Sequence, residues 1–172
     1  MSESASSFEH KAAAQQITPR CAVLTLSDTR TPETDTSGQT IERLLTEAGA
    51  IVVERALIKD EPAALQTVLT NWLTRTDVDL IITTGGTGLS RRDQTVDVVE
   101  KHFDRPLPGF GELFRMLSWE QVCSAALLSR ATAGTAGEKM IFALPGSKAA
   151  VELATKRLII PEMRHLLREL RK

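Results

Sequence analysis

With 172 residues, 42% hydrophobic and 25% charged, the chain has the material for one substantial core and lacks the composition of a disordered segment. A formal net charge of −1 removes the electrostatic case for binding nucleic acid or an anionic membrane, so any phosphate site must be built locally. Two cysteines are too few for a disulfide scaffold, three scattered histidines give no zinc spacing, and no apolar run approaches the ~20 residues of a membrane span.

Residues 1–19 are rich in Ser, Ala and Gln without a basic start or an apolar stretch, so they read as a mobile arm or an oligomer contact rather than a secretory signal. Residues 20–27 read as the first core strand, and residues 28–38 as a polar loop carrying Pro32, Glu33 and Asp35. The period then turns helical, with Ile41, Leu44, Leu45 and Ala48 on one face and Gly49 placed to end the helix. Residues 51–58 are a second strand. Asp60 is expected to cap the next helix, where Pro62 suits the first turn and Leu65, Val68, Leu69, Trp72 and Leu73 share a core-facing stripe.

Val78, Leu80, Ile81 and Ile82 form a short β-branched run typical of a strand covered on both faces. A short helix is expected over 96–103, a proline-bearing loop over 105–111, and a mostly helical stretch over 112–129 offering Leu113, Phe114, Leu117, Val122 and Leu127 for packing. Two strands, 131–135 and 139–144, surround Gly137. The 145–147 turn leads into a last helix, 148–171, that Pro161 should kink or break. Cys21 and Cys123 read as buried free thiols. The alternation of strands and helices implies an α/β fold: a three-layer, mostly parallel sheet with helices on both faces, in a single domain over 20–172.

Between the third strand and the following helix stands Thr84-Gly85-Gly86-Thr87-Gly88, followed by Arg91, Arg92 and Asp93. Glycines there allow positive φ and close backbone approach, so several N–H groups can point at one anion. A strand-to-helix turn of this kind also exists without a ligand. The pattern is neither the dinucleotide fingerprint nor a Walker A loop. In open α/β sheets ligands bind beyond the carboxyl ends of the strands, where strand order reverses. With the first strand central, the loop over 27–38 lies beside the loop over 83–93. Asp35 and Asp93 are then expected to converge, with the 144–147 turn as a third wall. Two facing carboxylates beside a glycine cradle suit Mg²⁺-assisted phosphoryl or nucleotidyl transfer. Loop aspartates also cap backbone N–H groups, and exposed arginines such as Arg91 and Arg92 either clamp phosphate or do nothing specific.

Taken in order, seven stretches resemble the molybdenum-cofactor biosynthesis proteins of the MoaB/MogA type. They are Leu-Ser-Asp-Thr-Arg-Thr at 26–31, Asp-Thr-Ser-Gly at 35–38, Thr-Gly-Gly-Thr-Gly at 84–88, Arg-Asp at 92–93, the Pro-Gly-Phe-Gly-Glu-Leu-Phe-Arg-Met-Leu-Ser run at 108–118, Leu-Ser-Arg-Ala at 128–131 and Leu-Pro-Gly-Ser at 144–147. The likeness covers roughly residues 20–170 and leans to the MoaB branch. It implies a cytoplasmic homotrimer or hexamer that binds molybdopterin and uses Mg²⁺ and ATP to adenylylate its terminal phosphate, releasing pyrophosphate. Other molybdenum-cofactor biosynthesis proteins are its implied partners. By the same resemblance Asp35 and Asp93 are the functional aspartates and Mg²⁺ ligands. Ser27, Ser37, Gly38, Gly85, Gly86, Thr87, Gly88, Arg92, Ser129, Pro145, Gly146 and Ser147 would contact substrate or nucleotide. The resemblance also admits a catalytically silent pterin-binding or assembly protein.

Overall fold

The computed structural model describes residues 16–172. In chain order the elements are β1 (Arg20–Leu26), α1 (Thr36–Glu47), β2 (Ile51–Ile58), α2 (Pro62–Thr74), β3 (Leu80–Thr84), α3 (Thr95–Glu100), β4 (Arg105–Pro106) and α4 (Pro108–Val122). A 3₁₀ segment (Cys123–Leu128), β5 (Thr132–Ala136), β6 (Lys139–Leu144), α5 (Lys148–Ala154), a π turn (Thr155–Ile159) and α6 (Ile160–Leu170) complete the chain. One six-stranded sheet runs β2-β1-β3-β6-β5-β4. The first four strands in that order are parallel, and β5 and β4 are antiparallel to their neighbours.

The period-2 alternation of strand side chains divides the core into two layers. Cys21, Val23, Leu80, Ile82, Met140 and Phe142 face α1, α4, α5 and α6. Ala22, Leu24, Ile81, Ile141 and Ala143 face α2 and α3. These strands are apolar at consecutive positions because both faces are covered. Phe142 packs edge-on to Phe110 of α4, with ring centroids 5.2 Å apart. The expected three-layer α/β fold is therefore the observed one.

Strand order decides where a site can open. β1 is flanked by β2 on one side and β3 on the other, so the chain leaves β1 and β3 toward opposite faces. Thr25, Thr84 and Leu144 stand in register across β1, β3 and β6, so the loops beginning at 27, 85 and 145 start side by side.

Several local expectations are corrected. Asp60 does not cap α2: Glu61 is the N-cap, without a side-chain bond. Helix α4 begins at Pro108, whose missing N–H is no loss at a first helical position, so 105–111 is not a loop throughout. The interruption expected at Pro161 is present: the α-helical pattern gives way to a π turn over Thr155–Ile159, and α6 starts afresh at Ile160 with Pro161 in its first turn. Cys123 is exposed, not buried. Of the expected arm, residues 1–15 lie outside the described residues, while Ile17 and Pro19 are already fastened: their carbonyls accept from Arg164 Nε (3.2 Å) and the Ile51 N–H (2.8 Å).

Candidate functional site

The loops after β3 and β6 meet over a cleft of ≈ 430 Å³. Its floor is the turn Gly85, Gly86, Thr87 and Gly88, with Asp93 at one side and Pro145, Gly146 and Ser147 at the other. Ser129 closes a third edge. Gly85 has φ +105°, and a Cβ there would come 2.3 Å from the Leu26 carbonyl oxygen, so no other residue fits this crossing of two strand ends. The Asp93 loop is held at both ends: the Ser90 N–H donates to Asp93 Oδ2 at 3.0 Å, and Thr95 N–H donates to the Gly86 carbonyl at 3.0 Å. Arg130 ties this loop to the segment that follows the 3₁₀ turn, reaching the Asp93 carbonyl at 3.4 Å while paired with Asp97 at 2.7 Å.

The remaining expected site residues do other work. Asp35 does not line the cleft that Asp93 lines. It is fully buried and is the N-cap of α1, accepting from the Gly38 N–H at 2.9 Å and from Thr25 Oγ1 at 2.9 Å. Arg30 and Arg55 complete its shell at 3.4 and 3.2 Å. Both oxygens are engaged and sealed from the cleft, because a buried carboxylate must be paired and hydrogen-bonded to be tolerated. Ser37 and Gly38 are buried in the first turn of α1, and Ser37 Oγ donates to the Gly146 carbonyl at 2.8 Å. Arg30 Nη2 donates to that same carbonyl at 2.9 Å. Ser27 accepts from the N–H groups of Thr29 and Arg30 at 3.3 and 3.2 Å, shaping the loop, and it does not line the cleft. Arg92 is exposed and paired with Asp28. Ser147 lines the cleft, but its hydroxyl also caps α5 by accepting from the Ala150 N–H at 3.2 Å.

The apolar wall of the cleft was not anticipated. It comes from Phe114, Val122, Ala126 and Leu128 of α4 and the 3₁₀ segment, with polar Ser118 and Gln121 among them. The signal was available as the 108–118 run, whose apolar residues exceed what one buried face requires. Leu113, Met116, Trp119, Val122, Leu127 and Leu128 are exposed, so Leu113, Val122 and Leu127 are not core within one chain. Also unanticipated is a group of acids at the carboxyl ends of three adjacent strands: Asp28 after β1, Asp60 after β2 and Asp93 after β3. Burial raises the Asp60 carboxyl above its ordinary range. Repulsion from Asp93 and Asp28 adds to the rise, and Arg92 opposes it. Among the described residues, no three His, Cys, Asp or Glu side chains gather closely enough to hold a metal by themselves.

A glycine turn beside a mostly apolar wall, beyond the carboxyl ends of two adjacent parallel strands, is the kind of concave place where open α/β sheets bind ligands. Residues 22–165 match the family described as "Probable molybdopterin binding domain". The chain belongs to the molybdopterin-binding domain family. Within it, the chain is 51% identical over 156 residues to molybdenum cofactor biosynthesis protein B of Staphylococcus carnosus, covering 89% of this chain and 91% of that one. The Bacillus cereus protein of the same description is 46% identical over 163 residues, 94% of this chain and 96% of that one. A crystal structure of molybdenum cofactor biosynthesis protein B superposes with a TM-score of 0.87 at 45% identity, over 90% of this chain and 97% of that one. The tungsten cofactor synthesizing protein MoaB from Pyrococcus furiosus gives 0.80 at 34% identity, over 90% and 98%. The family places this chain in molybdenum cofactor biosynthesis. Among the described residues no helix is long and apolar enough to cross a membrane.

Proposed function

We propose that this chain is a molybdopterin adenylyltransferase. It would transfer AMP from ATP to the terminal phosphate of molybdopterin, with pyrophosphate leaving. The observation that supports this reading is the cleft itself, which puts a backbone anion cradle, Asp93 and an apolar wall around one space of ≈ 430 Å³. A ring system would fit against Phe114, Ala126 and Leu128 while phosphate oxygens reach the N–H groups of 86–88, the Gly85 N–H being held by the Leu144 carbonyl. An oxygen of the pterin phosphate attacks the α-phosphorus of ATP, and the bond to pyrophosphate breaks as the new P–O bond forms.

No covalent nucleophile from the protein is needed, so the chain's task is to orient two anions and to offset their charge. The 85–88 turn positions the phosphates. Asp93, half-buried beside Gly88, would hold Mg²⁺ together with phosphate oxygens. When bound, that ion supplies charge compensation for the triphosphate and the departing pyrophosphate. Asp35 serves the reaction only by fixing the 27–38 loop, since neither of its oxygens reaches the cleft. The chain would work as a homotrimer or hexamer. The exposed Leu113, Met116 and Trp119, spaced every three residues on α4, support that reading as a surface left for another copy.

The test is a mixture of purified protein, molybdopterin, Mg²⁺ and ATP, followed for adenylylated molybdopterin and pyrophosphate. Asp93→Ala should lower turnover by about 10²-fold or more while the oligomer persists. Undiminished turnover would remove Asp93 from the mechanism. Pterin binding without product in the unmodified protein would make it a silent pterin-binding or assembly protein instead.

A further inference from the structure

Between the end of α4 and the outer face of α5 lies a second hollow of ≈ 290 Å³, lined by Gln121, Ala149, Glu152, Leu153, Lys156 and Arg157. Gln121, Ala149 and Leu153 line the cleft as well, so the two spaces form one continuous groove. Ala149, Leu153 and Arg157 recur at helical spacing, so one stripe of α5 and the π turn runs from the cleft to the groove's outer end, about 12 Å along the axis. The rim is basic, on a chain whose formal net charge is −1. Lys156 is paired with Glu152 at 2.5 Å, whereas Arg157 and the Gln121 amide have no hydrogen bond or ion pair among the described residues. The bond and charge of Lys156 hold the Glu152 carboxyl below its ordinary range, and Lys148 and Arg43 add to the effect. Arg43 is already matched by Glu47, so Lys148, Lys156 and Arg157 stand around the single carboxylate of Glu152.

We propose that this groove seats the polyphosphate tail of the nucleotide, with Arg157 and Lys156 as its cationic contacts. Volume is the first reason. The cleft, at ≈ 430 Å³, is near the lower end of the range of about 300–1,000 Å³ for one ligand, while adenylyl transfer needs two at once. Charge is the second. A neutral base has no use for a cationic rim, whereas a triphosphate gains from an arginine fork and from a lysine that can exchange Glu152 for phosphate oxygens. Helical side chains lean toward the amino end of their helix, so Lys156 and Arg157 point back along the groove toward Ala149. The Gln121 amide stands where cleft and groove meet, able to donate to a phosphate oxygen there. As the bond from the α-phosphorus to the bridging oxygen breaks, its electron pair goes to pyrophosphate, and the added negative charge falls beside Arg157. The inference rests on the adenylyltransferase reading, but it assigns residues of α5 and the π turn that lie outside the glycine turn and the Asp93 loop.

The experiment titrates the full chain with inorganic tripolyphosphate by calorimetry, without metal or pterin, and repeats the titration with AMP. The unmodified protein should bind one tripolyphosphate per chain. Arg157→Gln should weaken that binding about tenfold, the loss of one charge-assisted bond, and Lys156→Gln several-fold. Glu152→Gln should tighten it, because the repelling carboxylate is gone, an effect that lost packing would not produce. AMP, which lacks the tail, should bind Arg157→Gln as it binds the unmodified protein. All three residues are on the surface, and matching thermal melts would confirm that the variants are folded. Equal tripolyphosphate affinity in Arg157→Gln, or no binding by the unmodified protein up to millimolar tripolyphosphate, overturns the assignment. An equal loss for AMP also overturns it, since the groove would then hold the nucleoside. Tripolyphosphate binding that depends on Arg157, with no adenylyl transfer by the unmodified protein, would uphold the groove as a polyphosphate site while rejecting the proposed reaction.

Discussion

Asp35 and Asp93 are both loop aspartates after a core strand, and their surroundings give them opposite tasks. Asp35 holds two guanidinium groups, one hydroxyl and one backbone N–H from full burial. Removing it leaves Arg30 and Arg55 facing each other without a counter-charge, and removes a helix cap. The lost cap is worth about 1 kcal/mol, and the broken buried pair about 3 kcal/mol or more, so the pair dominates. Asp35→Ala should therefore lower the unfolding free energy by about 3 kcal/mol in a urea titration. A loss below about 1 kcal/mol would mean that the arginines find water as readily as they find Asp35. Sequence alone brought out both aspartates because each follows an apolar strand and neighbours a glycine. It could not separate them, because burial depends on Arg55 from β2, twenty residues away in the chain. Thr95 and Asp60 were illegible for a related reason: one looked like an ordinary helix start and the other like an N-cap, and only the folded chain sets both against Gly86.

At the scale of the element, the junction between α4 and the 3₁₀ segment is the strained point. Cys123 has φ 49° and ψ −132°, a conformation that side chains other than glycine avoid. The kink turns the chain so that Ala126 and Leu128 face the cleft instead of continuing along α4. Cys123→Gly should raise stability by roughly 1 kcal/mol, since the relief of strain exceeds the entropy that glycine adds to the unfolded chain. Chemical denaturation would measure it, and a loss of stability would show that the backbone is unstrained there. Helical periodicity over 112–129 could not reveal the kink, because the residues on both sides have ordinary helix propensity. The strands were more legible: residues 20–27, 51–58 and 139–144 were each located to within one residue at either end. A β-branched run has a hard limit where it meets a turn. The two sheet edges are also blunted in ways the sequence displays, with Glu54 and Arg55 on β2 and Pro106 on β4.

For the whole molecule, the two ends of the sheet are specialised. The carboxyl ends carry the cleft. The opposite end carries an ion-pair network that joins the chain's distant parts. Asp79, 3% exposed, accepts from the Arg20 N–H and Nε at 2.9 Å, and from Arg171 Nη2 at 2.6 Å. Burial alone would raise this carboxyl, but the bonds and charges of Arg20 and Arg171 outweigh it and hold it below the usual range. The folded chain therefore binds the proton more weakly than the unfolded chain does. The stabilisation is complete above the unfolded value near pH ~3.9 and is lost as pH falls through the lower folded value. Asp79→Asn should be less stable than the unmodified protein at neutral pH, and the gap should close below pH ~4 in urea titrations across pH. A gap that stays constant down to pH ~2 would rule out this linkage.

The Gly146 carbonyl accepts from both Ser37 and Arg30, so the loop after β6 and the loop after β1 share one anchor. Gly85 lies beneath the same point, with a Cβ on Gly146 only 3.4 Å from its Cα. The three loops around the cleft floor are thereby cross-braced before any ligand arrives. Their ordering entropy is lost during folding, not on association. Ligand entry should then be limited by encounter, with an observed rate that rises linearly with concentration and shows no slower rearrangement behind it.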